Sequence, residues 1–111
     1  MITLPYPPSA NVYWRVWNGR VLLSREARSY KQKAALLAKS QGATPIEGDV
    51  ELRLSVFRPR RSGDLSNRIK VLEDALNGVA FVDDSQVVRI VANRFDDKSN
   101  PRVEVEIVPV P

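Results

Sequence analysis

Apolar and polar residues alternate from Val50 to Val56, with Glu51, Arg53 and Ser55 between Val50, Leu52, Leu54 and Val56. A period of two predicts a half-buried strand, and Pro59 ends it. The same period returns in Val103, Val105 and Ile107 against Glu104 and Glu106, predicting a last strand over Arg102 to Val108. Val87 to Phe95 reads as a strand with Val88, Ile90 and Ala92 on its inner face, followed by a turn over Asp96 to Pro101. Ile2 to Leu4 reads as a short strand stopped by Pro5 and Pro7-Pro8, which cannot donate ladder hydrogen bonds. Val12 to Trp17 and Arg20 to Leu23 flank Asn18-Gly19, a pair suited to the positive φ of a type I′ turn, and predict a hairpin.

Two segments change to helical spacing. Ser24 is a good N-cap for a helix from Arg25 to about Gln41, with Gly42 just past its end. Tyr30, Ala34, Leu37 and Gln41 trace one side, with Ala27 and Ala38 beside them. Arg25, Arg28, Lys31, Lys33 and Lys39 make much of the rest basic, which reads as a solvated face. In the second helix, Leu65, Ile69, Leu72 and Leu76 form an apolar stripe. Ser66, Lys70, Glu73 and Asn77 make a polar row on another face, and Asn77-Gly78 closes the helix. The order β-ββ-α-β-α-ββ predicts an α+β fold, with two main helices covering one face of a mixed sheet of about four to five strands. The whole chain, residues 1–111, is expected to be one domain.

Composition narrows the chemistry. The chain has no cysteine and no histidine, which excludes disulfides, thiolate and imidazole metal sites, and the Ser-His and Cys-His nucleophile systems. A metal bound here must be a hard cation held by oxygen, which points to magnesium or manganese. No apolar run approaches the roughly 18 residues needed to span a bilayer, so no membrane partner is expected. The opening Met1-Ile2-Thr3-Leu4-Pro5 does not read as a signal peptide, and a reducing cytoplasm is the expected location. A net charge of +4 favours an anionic partner such as nucleic acid.

The candidate chemistry lies between Arg58 and Gln86. Asp64 stands at the start of the second helix, Lys70 lies on it, and Asp83-Asp84 follows it. Converging carboxylates can hold cations for phosphodiester hydrolysis, and a nearby lysine can stabilise charge on the phosphate or assist the leaving oxygen. Taken singly, Asp64 also fits an N-cap and Asp83-Asp84-Ser85 an ordinary turn. Arg58, Arg60, Arg61 and Arg68 are candidates for holding backbone phosphates. Asn11 and Asn67 suit DNA contacts as well as turn and helix-start roles. Tyr6, Tyr13, Trp14 and Trp17 suit stacking on unpaired bases, although core packing or a dimer interface is the commoner use of such residues.

Asp64-Leu65-Ser66-Asn67-Arg68-Ile69-Lys70 and Asp83-Asp84-Ser85-Gln86 together resemble the paired signature of the RusA family of Holliday junction resolvases. Leu4-Pro5-Tyr6-Pro7-Pro8-Ser9, with Asn11 and Tyr13, resembles the family's opening, so the likeness covers most of the chain. It implies a small homodimer that binds four-way DNA junctions and makes magnesium-dependent, symmetric nicks in two opposing strands during recombination and repair. By position it implies that Asp64 and Asp84 are catalytic, metal-binding carboxylates and that Lys70 is the catalytic lysine. Asp83 is a further candidate metal ligand.

One position departs from that signature. Ser66 stands where the family has its second aspartate, and a neutral hydroxyl is a much poorer cation ligand. Three readings follow: a crippled enzyme, a serine acting through water, or a missing charge supplied by Glu73. Glu73 lies about 10 Å further along the same helix face, and a glutamate reaching towards the N-terminus covers part of that gap. Pairing of Glu73 with Lys70, or simple exposure, is the plainer alternative. A junction-binding protein with weak or no nuclease activity is the corresponding alternative function.

Overall fold

The computed structural model describes residues 1–9, 14–61 and 65–111. In chain order the elements are β1 (Ile2–Pro5), β2 (Trp14–Trp17), β3 (Arg20–Leu23), α1 (Arg25–Ser40), β4 (Val50–Arg58), α2 (Leu65–Leu76), β5 (Val87–Asp96) and β6 (Arg102–Pro109). A 3₁₀ turn, Asp84–Gln86, leads into β5. The architecture is the α+β arrangement expected, with a mixed four-stranded sheet in the order β1-β6-β4-β5. β4 and β5 run parallel while β1–β6 and β4–β6 are antiparallel. Parallel neighbours need a crossover connection, and α2 supplies it.

Cross-strand rows build the core. Ile2, Val105, Leu54 and Ala92 align across the four strands, and Leu4, Val103 and Val56 form a second row. Against these rows α1 buries Ala27, Tyr30, Ala34 and Ala38, while α2 buries Val71, Leu72, Ala75 and Leu76. Each fully buried leucine contributes roughly 1.5–3 kcal/mol relative to exposure. The Lys31–Asp74 ion pair at 3.6 Å ties the two helices at their rim.

The opposite face of the sheet carries charge. Glu51 accepts from Arg53 at 2.5 Å and Arg89 at 3.0 Å, and Arg53 also reaches Glu106 at 3.0 Å. The Arg53 hydrogen bond is the main force holding the Glu51 carboxyl below the usual carboxylate range. Polar residues alternating with the core residues therefore form a ladder rather than a second core.

Most local expectations hold. Ser24 caps α1, its oxygen accepting from the Ala27 amide at 3.1 Å. Asn18 and Gly19 have φ of 49° and 73°, as a type I′ turn requires, and the β2–β3 hairpin forms a sheet of its own. Gln41 ends α1 instead of entering the core. Its side chain accepts from the Thr3 amide at 2.8 Å and donates to the Thr3 carbonyl at 2.8 Å, acting as one more partner for β1.

One strand face differs from expectation. Val88 was expected on the inner face of β5 but is 54% exposed. The β4–β5 register pairs Val50 with Val87 and then Glu51 with Arg89, so Val88 is an extra residue in a bulge. Val87 takes the place against the core, and alternation restarts with Ile90 beside Leu52 and Ala92 beside Leu54. Ile90 is still partly exposed because β5 is the edge strand.

Candidate active site

The polar row of α2 is positioned by the stripe behind it. Burial of Leu72 and Leu76, with Leu65 and Ile69 packed against the core, turns Ser66 and Lys70 to solvent and leaves Glu73 and Asn77 half-buried. Beyond Leu76 the chain turns through Gly78 (φ 79°), and the Gly78 amide donates to the Phe81 carbonyl at 2.8 Å. Phe81 is fully buried and fastens this link, so the acidic segment that follows starts from a fixed point.

That segment is held by its own side chains. Asp83 caps the 3₁₀ turn, accepting from the Ser85 amide at 3.2 Å and from the Ser85 hydroxyl. These bonds, the hydroxyl first, hold the Asp83 carboxyl below its ordinary range. Gln86 completes a capping box by accepting from the Asp83 amide at 2.7 Å. The same Gln86 amide donates to the carbonyls of Ile46 at 2.8 Å and Gly48 at 2.6 Å. One side chain thus clamps the acidic turn to the connector before β4. Sequence reading placed Gln86 in a motif without giving it a task, and its forked amide is the signal that suggests one.

Asp84, exposed between these clamps, faces α2 electrostatically. Burial pushes the Glu73 carboxyl above its ordinary range, the negative charge of Asp84 pushes it further, and the Lys70 ammonium opposes both. Glu73, Asp84 and Lys70 therefore share one field. Among the described residues no group of three acidic, histidine or cysteine side chains is gathered tightly enough for a metal site. Glu73 and Asp84 are near enough for the charge of one to raise the other's carboxyl, and two such oxygen groups are of the kind a hard divalent cation takes. Asp64 and Asn11 lie outside the described residues, as do Tyr13 and the side chains of Trp14 and Trp17.

The arginines divide into two groups. Arg58 is mostly buried and donates to Asp96, its register partner on β5; that bond is the first cause of the lowered Asp96 carboxyl. Arg68 donates to the Pro7 carbonyl at 2.8 Å with its guanidinium 4.8 Å from the centre of the Tyr6 ring. Among the described residues its Nε has no acceptor. Both side chains brace structure from fixed positions. Arg60 is exposed, and Arg61 is 89% exposed with Asp96 at 3.9 Å. Asn67 is half-buried in the first turn of α2.

Comparison with known proteins gives one consistent result. The family model described as Endodeoxyribonuclease RusA matches residues 5–108. The crossover junction endodeoxyribonuclease of Enterobacteria phage 82 is 36% identical over 109 residues, covering 96% of this chain and 91% of that protein. The protein of the same name from Escherichia coli strain K12 is 35% identical over the same coverage, 96% and 91%. That from Shigella sonnei strain Ss046 is 34% identical, again covering 96% and 91%.

Proposed function

The chain belongs to the endodeoxyribonuclease RusA family, and from that membership we propose that it is a Holliday junction resolvase, nicking opposing strands of a four-way DNA junction symmetrically. The observation that carries this reading is the match of the endodeoxyribonuclease RusA family model to residues 5–108, and the mutual influence of Glu73, Asp84 and Lys70 on α2 and the turn before β5 agrees with it. Two nicks related by two-fold symmetry need two such sites, so the working form is a homodimer.

Asp64 and Asp84 would hold magnesium, with Glu73 supplying the charge that Ser66 lacks. Bound there, a hard cation supplies activation of the attacking water and neutralisation of charge on the phosphate. Lys70 is exposed on the same helix face, suited to donate a hydrogen bond to the phosphate or the leaving oxygen as the phosphorus–oxygen bond breaks. Asp83, already committed to Ser85, acts chiefly by setting the direction of Asp84. Arg60 and Arg61 hold backbone phosphates, while Arg58 and Arg68 add charge from braced positions. Asn67, in the first turn of α2, and Asn11 are proposed as further DNA contacts.

Ser66, exposed on the polar row, is what favours the second reading, a junction-binding protein with little nuclease activity. A gel-shift in calcium beside cleavage in magnesium, manganese and chelator separates the two. Nicks with either metal, absent with chelator and in Asp84→Asn, support the resolvase. Tight binding with no nicks supports the binding protein.

A further inference from the structure

Away from the acidic turn, a groove of about 650 Å³ lies between the proline-rich opening and the first half of α1. Tyr6, Arg25, Lys33, Arg60 and Arg68 line it, with Glu26 the single carboxylate among its described residues. Four cations against one carboxylate make it a strongly electropositive channel. Pro5, Pro7 and Pro8 line it too, offering apolar rings and no backbone N–H. Arg68 holds the proline segment through the Pro7 carbonyl and the Tyr6 ring.

The basic stripe has a definite repeat. Arg25, Ser29 and Lys33 follow one another at intervals of four on α1 and face the groove together. Eight residues of helix span about 12 Å, along which one strand of duplex DNA presents about three to four phosphates at roughly 3.4 Å each. Arg60 precedes α2 and Arg68 lies in its first turn, so the groove runs from the N-terminal end of that helix to α1. By contrast, Arg28 and Lys39 are exposed outside it. The cations of α1 are thus not one uniform solvated face.

We propose that this groove binds the sugar–phosphate backbone of one DNA strand leaving the cleavage site, with Arg25 and Lys33 as its outer phosphate contacts. The proposal rests on the nuclease reading and adds the path of the strand. A small anion would use one or two of these cations and leave the rest of the stripe unexplained. An acidic peptide is the competing polyanion, and the test decides between them.

The experiment is the salt dependence of binding to a four-way junction and to linear duplex, for the wild type, an Arg25→Gln/Lys33→Gln protein and a Lys39→Gln control. Each lost phosphate contact removes about 0.9 from the slope of log K against log salt, so the double variant should lose about 1.8 and the control nothing. An unaltered slope in the double variant overturns the groove, as does an equal loss in Lys39→Gln, which would mark diffuse charge. Wild-type binding that does not distinguish junction from duplex would refute the junction reading while the slopes still judge the groove. No DNA binding at all would overturn both and leave the peptide.

Discussion

Replacing Gln86 by alanine tests how the acidic turn is held. The side chain makes three hydrogen bonds: it accepts from the Asp83 amide at 2.7 Å and donates to Ile46 at 2.8 Å and Gly48 at 2.6 Å. At roughly 0.5–1.5 kcal/mol net for each bond, the sum lies between about 1.5 and 4.5 kcal/mol. Water can replace the two exposed bonds more readily than the part-buried one to Ile46, which places the expected loss near 2 kcal/mol. For a domain of this size, that lowers the melting temperature by about 8 °C. Gln86→Glu should be no better, because a carboxylate has no proton to donate to two carbonyls. Urea unfolding supplies the free energy, and junction cleavage supplies the functional effect. Metal-dependent cleavage should fall although every proposed ligand is still present, since Asp84 is no longer aimed. Stability within 0.5 kcal/mol of wild type, with full cleavage, would refute the clamp.

Glu73→Gln removes the carboxylate whose folded pKa is raised. A raised value means the folded state binds the proton more tightly, so stability is lost as pH rises from the ordinary glutamate range through the folded value. The variant should lack that decline and be slightly more stable than wild type at pH 7 without metal, yet gain less melting temperature from magnesium; identical melting curves would remove Glu73 from the site. Ser66→Asp should restore the family's second aspartate, raising magnesium affinity and cleavage at low metal. No change in metal titrations of cleavage would mean the serine is no loss.

How much of this was legible depends on how far apart the partners lie in sequence. The two faces of α2 follow from 3.6-residue spacing alone, and the structure keeps Leu72 and Leu76 in while turning Lys70 out. Asn18-Gly19 and Ser24 were equally readable, because turn and cap chemistry is local. The bulge at Val88 was not, since it arises where β4 and β5 pair, more than thirty residues apart. Arg68 shows the same limit: as a number in a basic cluster it looks available, but the Pro7 carbonyl and Tyr6 ring sixty residues earlier occupy it. The direction of Glu73 was one of several open readings. Only the packing of α2 beside the acidic turn brings its carboxyl under the influence of Asp84.

The most direct measurement maps nick positions on all four strands of a mobile four-way junction, incubated with wild-type protein and magnesium and run on a denaturing gel. The account predicts paired nicks at symmetric positions in two opposing strands, abolished by chelator and by Asp84→Asn. Nicks scattered over all four strands, or cleavage equal on linear duplex, would contradict it.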